Sequence, residues 1–306
     1  MTDLSHRVLV IGASGFVGRH LVQSLLAAGH SVRCLARDAT RVQDLAEAGC
    51  DVVEGDILDA ASVDRALESM EAVYISIHTL TPQRAGAPGQ DFMDVEEAGV
   101  RNVIRGCREA RVRRVVYVTS IGVAPDAPSA WVRGRWRIER LLFAAGLDVT
   151  VLRPGMIVGR GGSGFDAVAR GARGRVAVVM GDGTQKFRTI AVEDLAYYLV
   201  GVLDDPRSFG HHYDVGSDDV LTTGEMIDIA AERLGRRRPA KIRVPARLLA
   251  LTAPLIERAT KMPRGAMTGL ADSLHIDMTG DPTPIRELLD RVPVNYREAV
   301  KGRSRT

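Results

Sequence analysis

Long hydrophobic runs are missing from this chain: none approaches the roughly 18 apolar residues that span a bilayer, so no transmembrane helix is expected. The first residues, MTDLSHR, lack the charged-then-apolar grammar of a signal peptide, which sets an expectation against export. Cysteine is scarce as well. Cys34, Cys50 and Cys107 stand far apart with no CxxC pair, which argues against a disulfide framework or a structural metal and for a reducing cytoplasm. Charge of one sign is not in excess: 41 Lys and Arg against 38 Asp and Glu leave +3, too little for a general field that would hold nucleic acid or an anionic membrane. No repeat of 20 to 50 residues and no low-complexity tract appears. What is present, 45% hydrophobic and 26% charged residues in a chain of 306, suits one large α/β domain with a smaller lobe. That is the composition of a small-molecule enzyme or sensor.

Short apolar runs alternate with helical periodicity from Arg7 to Arg153. The runs Val8–Ile11, Val32–Leu35, Val52–Val53, Val73–Ile77, Val115–Val118 and Val149–Leu152 are nearly continuous in Val and Ile, as parallel strands buried on both faces should be. Helices are expected over Phe16–Ala28, Thr40–Ala48, Ala61–Leu67, Phe92–Ala110 and Ala130–Ala145, with Gly29, Gly49 and Gly146 as C-terminal stops. The expected fold is α/β: a Rossmann doubly wound parallel sheet over residues 1–155, to which 187–216 returns, with 156–186 and 217–306 forming a small α/β lobe on the substrate side. Gly159–Gly164, five of six residues glycine or serine, reads as a flexible loop on that side.

The segment Gly12-Ala13-Ser14-Gly15-Phe16-Val17-Gly18 follows the first strand and opens the first helix. In that setting glycines let the backbone approach a pyrophosphate, whose charge meets the unpaired N–H groups and positive end of the helix. Past the second strand, where an NAD site usually carries an acid against the ribose 2′-hydroxyl, stands Arg37. Its guanidinium can hold a 2′-phosphate bidentately, with Arg33, Arg41 and the Ser14 hydroxyl as possible helpers, so NADP(H) is expected. The alternative is NAD(H), with Asp38 on the ribose and Arg37 solvating a loop.

These glycines, Gly55-Asp56 after the third strand, Ser120 after the fifth and Leu152-Arg153-Pro154-Gly155 after the sixth resemble an atypical, extended-type short-chain dehydrogenase/reductase. Ser76–Leu80, Gly162–Phe165 and Asp281–Glu287 resemble more closely the NmrA-like NAD(P)H-binding proteins related to an accessory subunit of respiratory complex I. The resemblance implies that Asp56 and Ile57 line the adenine, that Ile77 and His78 follow the cofactor, and that Pro154 to Ile157 border the nicotinamide. It also exposes a departure. Active members carry a Tyr, three residues, then a Lys; here Trp131 and Arg135 stand in their places. An indole does not ionise usefully and a guanidinium does not deprotonate, so neither relays a proton. Arg135 is read either as a holder of the nicotinamide ribose or as one more charge on a solvated, arginine-rich helix. The remaining candidates for catalysis are His78, by its unperturbed pKa near 6.5, and Ser120, which either orients a carbonyl or caps its strand. Tyr117 is expected in the core.

Three readings follow: a reductase of quinones, flavins or enones, whose product anion needs little help; a catalytically silent NADP(H) sensor or accessory subunit; and, weakened by the missing Tyr and Lys, a sugar-nucleotide epimerase. The partner expected is a small-molecule substrate rather than nucleic acid. The helices Phe92–Ala110 and Ala130–Ala145, a dimer face in the family, leave monomer and homodimer open. The basic stretch from Arg233 to Arg243 reads as solvated surface. Leu248, Leu251, Leu255, Ala259 and Met262 share a helical stripe expected to pack on its own lobe, a membrane-touching helix being the alternative. The pair His211-His212 is not at metal-ligand spacing.

Overall fold

Val-rich segments of this chain pair side by side, as their patterning predicts. The computed structural model describes residues 5–77, 92–260 and 265–301. His78, Leu80 and Met262 therefore lie outside the described residues. The strands are β1 (Arg7–Ile11), β2 (Ser31–Ala36), β3 (Asp51–Glu54), β4 (Ala72–Ile75), β5 (Arg114–Val118), β6 (Asp148–Pro154), β7 (Met156–Val158), β8 (Val176–Met180), β9 (Lys186–Ala191), β10 (His211–Val215), β11 (Val220–Thr222) and β12 (Ala240–Val244). The α-helices are α1 (Phe16–Ala27), α2 (Gln43–Glu47), α3 (Ala60–Leu67), α4 (Phe92–Ala110), α5 (Ala130–Phe143), α6 (Ser163–Arg173), α7 (Val192–Gly201), α8 (Thr223–Arg233), α9 (Ala246–Thr260), α10 (Ala266–Ser273), α11 (Thr283–Leu289) and α12 (Tyr296–Lys301).

Seven strands form one sheet in the order β10-β6-β5-β4-β1-β2-β3, and every pairing in it is parallel. Chain order reverses between β1 and β4, the switch point where doubly wound sheets open a crevice at the carboxyl ends of their strands. Alternate residues of β1 feed two cores. Val8 and Val10 join α1 and α7 residues such as Leu21, Leu25 and Leu199 on one face; Leu9 and Ile11 join Val63, Val100 and Ile138 on the other. The strand around Tyr213 runs from His211 and extends this sheet beside β6, with Tyr213 opposite Leu152.

Elsewhere β9 pairs parallel with β7 and antiparallel with β11, and β12 pairs parallel with β8. Phe165, Val168, Ala177, Val179, Ile227 and Tyr296 form a separate core beneath them.

Two expectations change. The helix expected over Thr40–Ala48 is split, a 3-10 turn at Ala39–Val42 preceding α2, because the Asp38 carboxylate accepts from the Thr40 N–H (3.1 Å) and starts the turn early. The stripe on α9 does not pack on its own lobe: Leu248, Leu251 and Leu255 are exposed.

Candidate functional site

Gly12 ends β1 with φ +93°, and a Cβ there would meet the Ser76 carbonyl oxygen at 2.3 Å. Gly18 sits so close to the turn that its Cβ would be 2.2 Å from the Gly12 oxygen. Both glycines are therefore demanded by backbone packing. Gly15 differs: it is exposed, has an ordinary φ of −79° and is the N-cap of α1, with no side-chain hydrogen bond to the helix's free N–H groups and no acid in the first turn. This end of the helix fits a phosphate by geometry and by sign of charge. Phe16 leans away and fills a hollow left by the glycine-rich loop, for a Cβ on Gly159 or Gly162 would stand 2.6 and 2.8 Å from its ring. The glycine-rich loop thus lies against the aromatic residue that opens α1. Val17 packs into the core shared by α1 and α7, and Ser14 stays half-buried beside the turn.

Arg37 is exposed at the carboxyl end of β2, one strand away from the cradle. Asp38, its rival for the ribose, also accepts from the Thr40 hydroxyl at 2.5 Å. Arg33 is no helper: its guanidinium pairs with Asp51 at 2.5 Å and donates to the Glu68 carbonyl at 2.9 Å, past the end of α3. Arg41 is exposed. Asp56 and Ile57 follow β3; the Asp56 carboxylate accepts from the Leu58 N–H at 2.9 Å, and Ile57 packs where a Cβ on Gly99 would touch it at 2.7 Å.

The ends of β4, β5 and β6 carry buried charges whose partners the sequence did not show. Arg135, 2% exposed, is not on a solvated face. It donates to the carbonyls of Ile77 (3.2 Å) and Val118 (3.3 Å), at the ends of β4 and β5, and pairs with Glu96 of α4 at 3.4 Å. Tyr117 lies in the core as expected, but its hydroxyl donates to the other Glu96 oxygen at 2.7 Å. Burial works against the Arg135 charge, yet Glu96 and Tyr117 outweigh it and raise the guanidinium's pKa above its ordinary value. Burial, then Glu96, pushes the Tyr117 phenol well above its usual range. Neither group releases a proton near neutral pH.

One turn along α5, Glu139 is buried against Arg153, whose Nε is 3.0 Å away, and accepts from the Thr119 hydroxyl at 2.8 Å. That clamp ties α5 to the ends of β5 and β6. Ser120 follows Thr119, and its buried Oγ has no hydrogen-bond partner among the described residues. The Pro154 carbonyl accepts from the Ile121 N–H at 3.0 Å, which holds the β6 end beside Ser120. Trp131 stands one turn before Arg135, whose guanidinium carbon is 5.7 Å from the indole centre. Ile121, Gly122, Trp131, Ile276 and Met278 border a small cavity there.

Glu96 was legible in principle. Met93, Glu96, Val100, Val103 and Cys107 are all buried on α4, so the glutamate interrupts an apolar stripe at helical spacing. A buried carboxylate in such a stripe needs a cation. Replacing Glu96 by Leu should cost about 3 kcal/mol in a urea melt, because Arg135 is left charged and unpaired, and adding Arg135→Met should recover most of that loss.

The glycine turn that opens α1 at the switch point of an all-parallel sheet thus has the geometry of a dinucleotide-binding Rossmann protein. Residues 12–206 match the NAD(P)H-binding family, and the chain belongs to it, as an atypical short-chain dehydrogenase/reductase. It is similar to sterol demethylase protein B of Methylococcus capsulatus, 30% identical over 95% of both chains. Subunit 9 of the NADH dehydrogenase [ubiquinone] 1 alpha subcomplex of Dictyostelium discoideum is 24% identical over 94% of this chain and 84% of its own. The NAD(P)H azoreductase of Xenophilus azovorans is 26% identical over 94% and 91%. Among solved structures, a nucleoside-diphosphate-sugar epimerase of Staphylococcus aureus shares the fold at TM-score 0.78 and 16% identity, covering 96% of this chain and 99% of its own. An NADPH-dependent quinone oxidoreductase of Escherichia coli does so at 0.71 and 18%, covering 96% and 99%. Among the described residues no helix is long and apolar enough to cross a membrane.

Proposed function

We propose that the chain is an NADPH-dependent reductase that passes hydride to a quinone, flavin, azo compound or enone, an acceptor able to stabilise its own product anion. The observation that carries this reading is Arg135: a fully buried guanidinium locked to Glu96, with Trp131 one turn before it, where the family's Lys and Tyr would provide an acid. Simple carbonyls become strongly basic alkoxides on reduction and need that acid; delocalised anions can wait for solvent. The azoreductase relative fits an acceptor of this kind.

In this reading Gly12, Ser14, Gly15 and the N–H groups of Phe16 to Gly18 hold the pyrophosphate, Asp56, Ile57 and Ile77 follow the adenosine and ribose, and Pro154 borders the nicotinamide. The bound dihydronicotinamide supplies hydride. Ser120, its Oγ buried and without a partner among the described residues, orients the acceptor oxygen or nitrogen, and Arg135 acts as a positioning residue that fixes the strand ends from below. His78 stays a candidate proton donor by sequence alone. A reducing compartment such as the cytoplasm suits three free, buried cysteines. The likeness to a complex I subunit favours a second reading, in which the dinucleotide is bound and never turned over.

The Asp38 carboxylate is engaged in its own turn, and the exposed Arg37 beside it carries the charge that a ribose 2′-phosphate needs, which favours NADP(H) over NAD(H). Calorimetry should find tighter binding of NADPH than of NADH. Arg37→Ala should erase most of the difference, about ten-fold to a hundred-fold, as the loss of one charge-assisted contact predicts. Equal or tighter binding of NADH by the unaltered chain would remove Arg37 from this role.

A further inference from the structure

A near-neutral total hides a local excess of charge. Residues 234–262 contain eight Lys and Arg and one acid, Glu257. That acid is buried and spends its carboxylate on the N–H groups of Gly265 (3.1 Å) and Met267 (2.8 Å), at the start of α10. Arg243, Arg247 and Arg258 are exposed, and among the described residues none of the three takes part in an ion pair.

The same stretch holds the two most exposed large apolar side chains among the described residues, Leu251 and Leu255. Leu248, Leu251 and Leu255 lie at i, i+3 and i+7 of α9 and are 50%, 78% and 72% exposed. Pro245 alone separates this helix from β12, whose Ile242 stands opposite Val178 of β8. Val176, Val178, Met180 and Ile242 are all exposed, so the outer face of that two-stranded ladder is apolar too. Stray surface leucines need no explanation, but a helical stripe beside an apolar ladder does.

We propose that this face, α9 with the β8–β12 ladder, seats on an anionic lipid surface. Protein interfaces balance charge across the contact, cation against acid. Interfacial helices do the reverse: leucines enter the acyl boundary while an uncompensated fringe of Arg and Lys meets anionic headgroups. The charge and the apolar stripe here have that arrangement. The inference stands whether or not NADPH is turned over, and it would bring the site to the phase in which lipid-soluble acceptors dissolve.

The test floats the full chain with phosphatidylcholine vesicles, with and without phosphatidylglycerol. The chain should rise with the anionic vesicles, less so as salt increases, and should stay behind with pure phosphatidylcholine. Leu251→Asp with Leu255→Asp, and separately Arg243→Glu with Arg247→Glu, should each cut the bound fraction about ten-fold or more while melting like the parent. Absence of flotation, or flotation indifferent to lipid charge and to both variants, overturns the proposal. So does a dimer in light scattering that the Leu251→Asp, Leu255→Asp variant breaks without any vesicle binding, since a second copy would then cover the face.

Discussion

Gly15→Asp is expected to abolish dinucleotide binding while the fold melts at the same temperature or higher. Gly15 is the N-cap of α1, exposed and at an ordinary φ, with its would-be Cβ 3.2 Å from the Gly12 oxygen, so that the turn must give by a few tenths of an ångström. Aspartate is among the best N-cap residues, so its carboxylate will accept from the helix's free N–H groups. Those are the groups a pyrophosphate needs. The new charge both occupies them and repels the phosphates, which together should weaken binding about a hundred-fold or more. Gly12 and Gly18 offer no such clean test, because a side chain at either collides with backbone. Calorimetry with NADPH beside a thermal melt checks the prediction; undiminished affinity in a folded variant would move the pyrophosphate elsewhere.

Restoring the family's acid should create aldehyde reduction only when Glu96 is changed as well. In Trp131→Tyr with Arg135→Lys alone, the new ammonium sits beside the Glu96 carboxylate, and a neutralised lysine does little to lower a tyrosine's pKa. Adding Glu96→Gln frees that charge to act on the phenol. The triple variant should then reduce simple aldehydes about 10² to 10⁴ times faster than the parent, the usual contribution of a positioned general acid. The double variant should gain little, and quinone reduction should change little in either. Steady-state rates on a short aldehyde and a quinone, with circular dichroism as the control for folding, decide it. Equal gains from the double and triple variants would mean that Glu96 does not hold the charge at position 135.

The sheet was legible because its strands are buried on both faces: Val8 to Ile11 and Val115 to Val118 carry apolar residues at every position, a pattern helices of this length rarely show. The cradle was legible because Gly12 and Gly18 are required by backbone contacts that leave a fixed spacing. Long-range partners were not. Arg135 reads in the sequence either as a holder of the nicotinamide ribose or as one of several arginines on a solvated helix; only the packing of α4 over α5 brings Glu96 to it. Arg33, on β2, is held by Asp51 of the neighbouring β3, a partner invisible to local pattern. That the glycines of the loop at Gly159 and Gly162 make room for Phe16 was likewise not legible, because that contact is long-range. The leucines of α9 have the spacing of a packed helix, and spacing alone does not say whether anything lies against them.

The most direct test of the account is a single-turnover experiment in which the chain, loaded with NADPH, is mixed with a quinone or with a simple aldehyde and the loss of nicotinamide fluorescence is followed. The account predicts rapid, enzyme-dependent oxidation by the quinone and none above background by the aldehyde. Aldehyde reduced as fast as quinone, or NADPH bound and oxidised by neither, would contradict it.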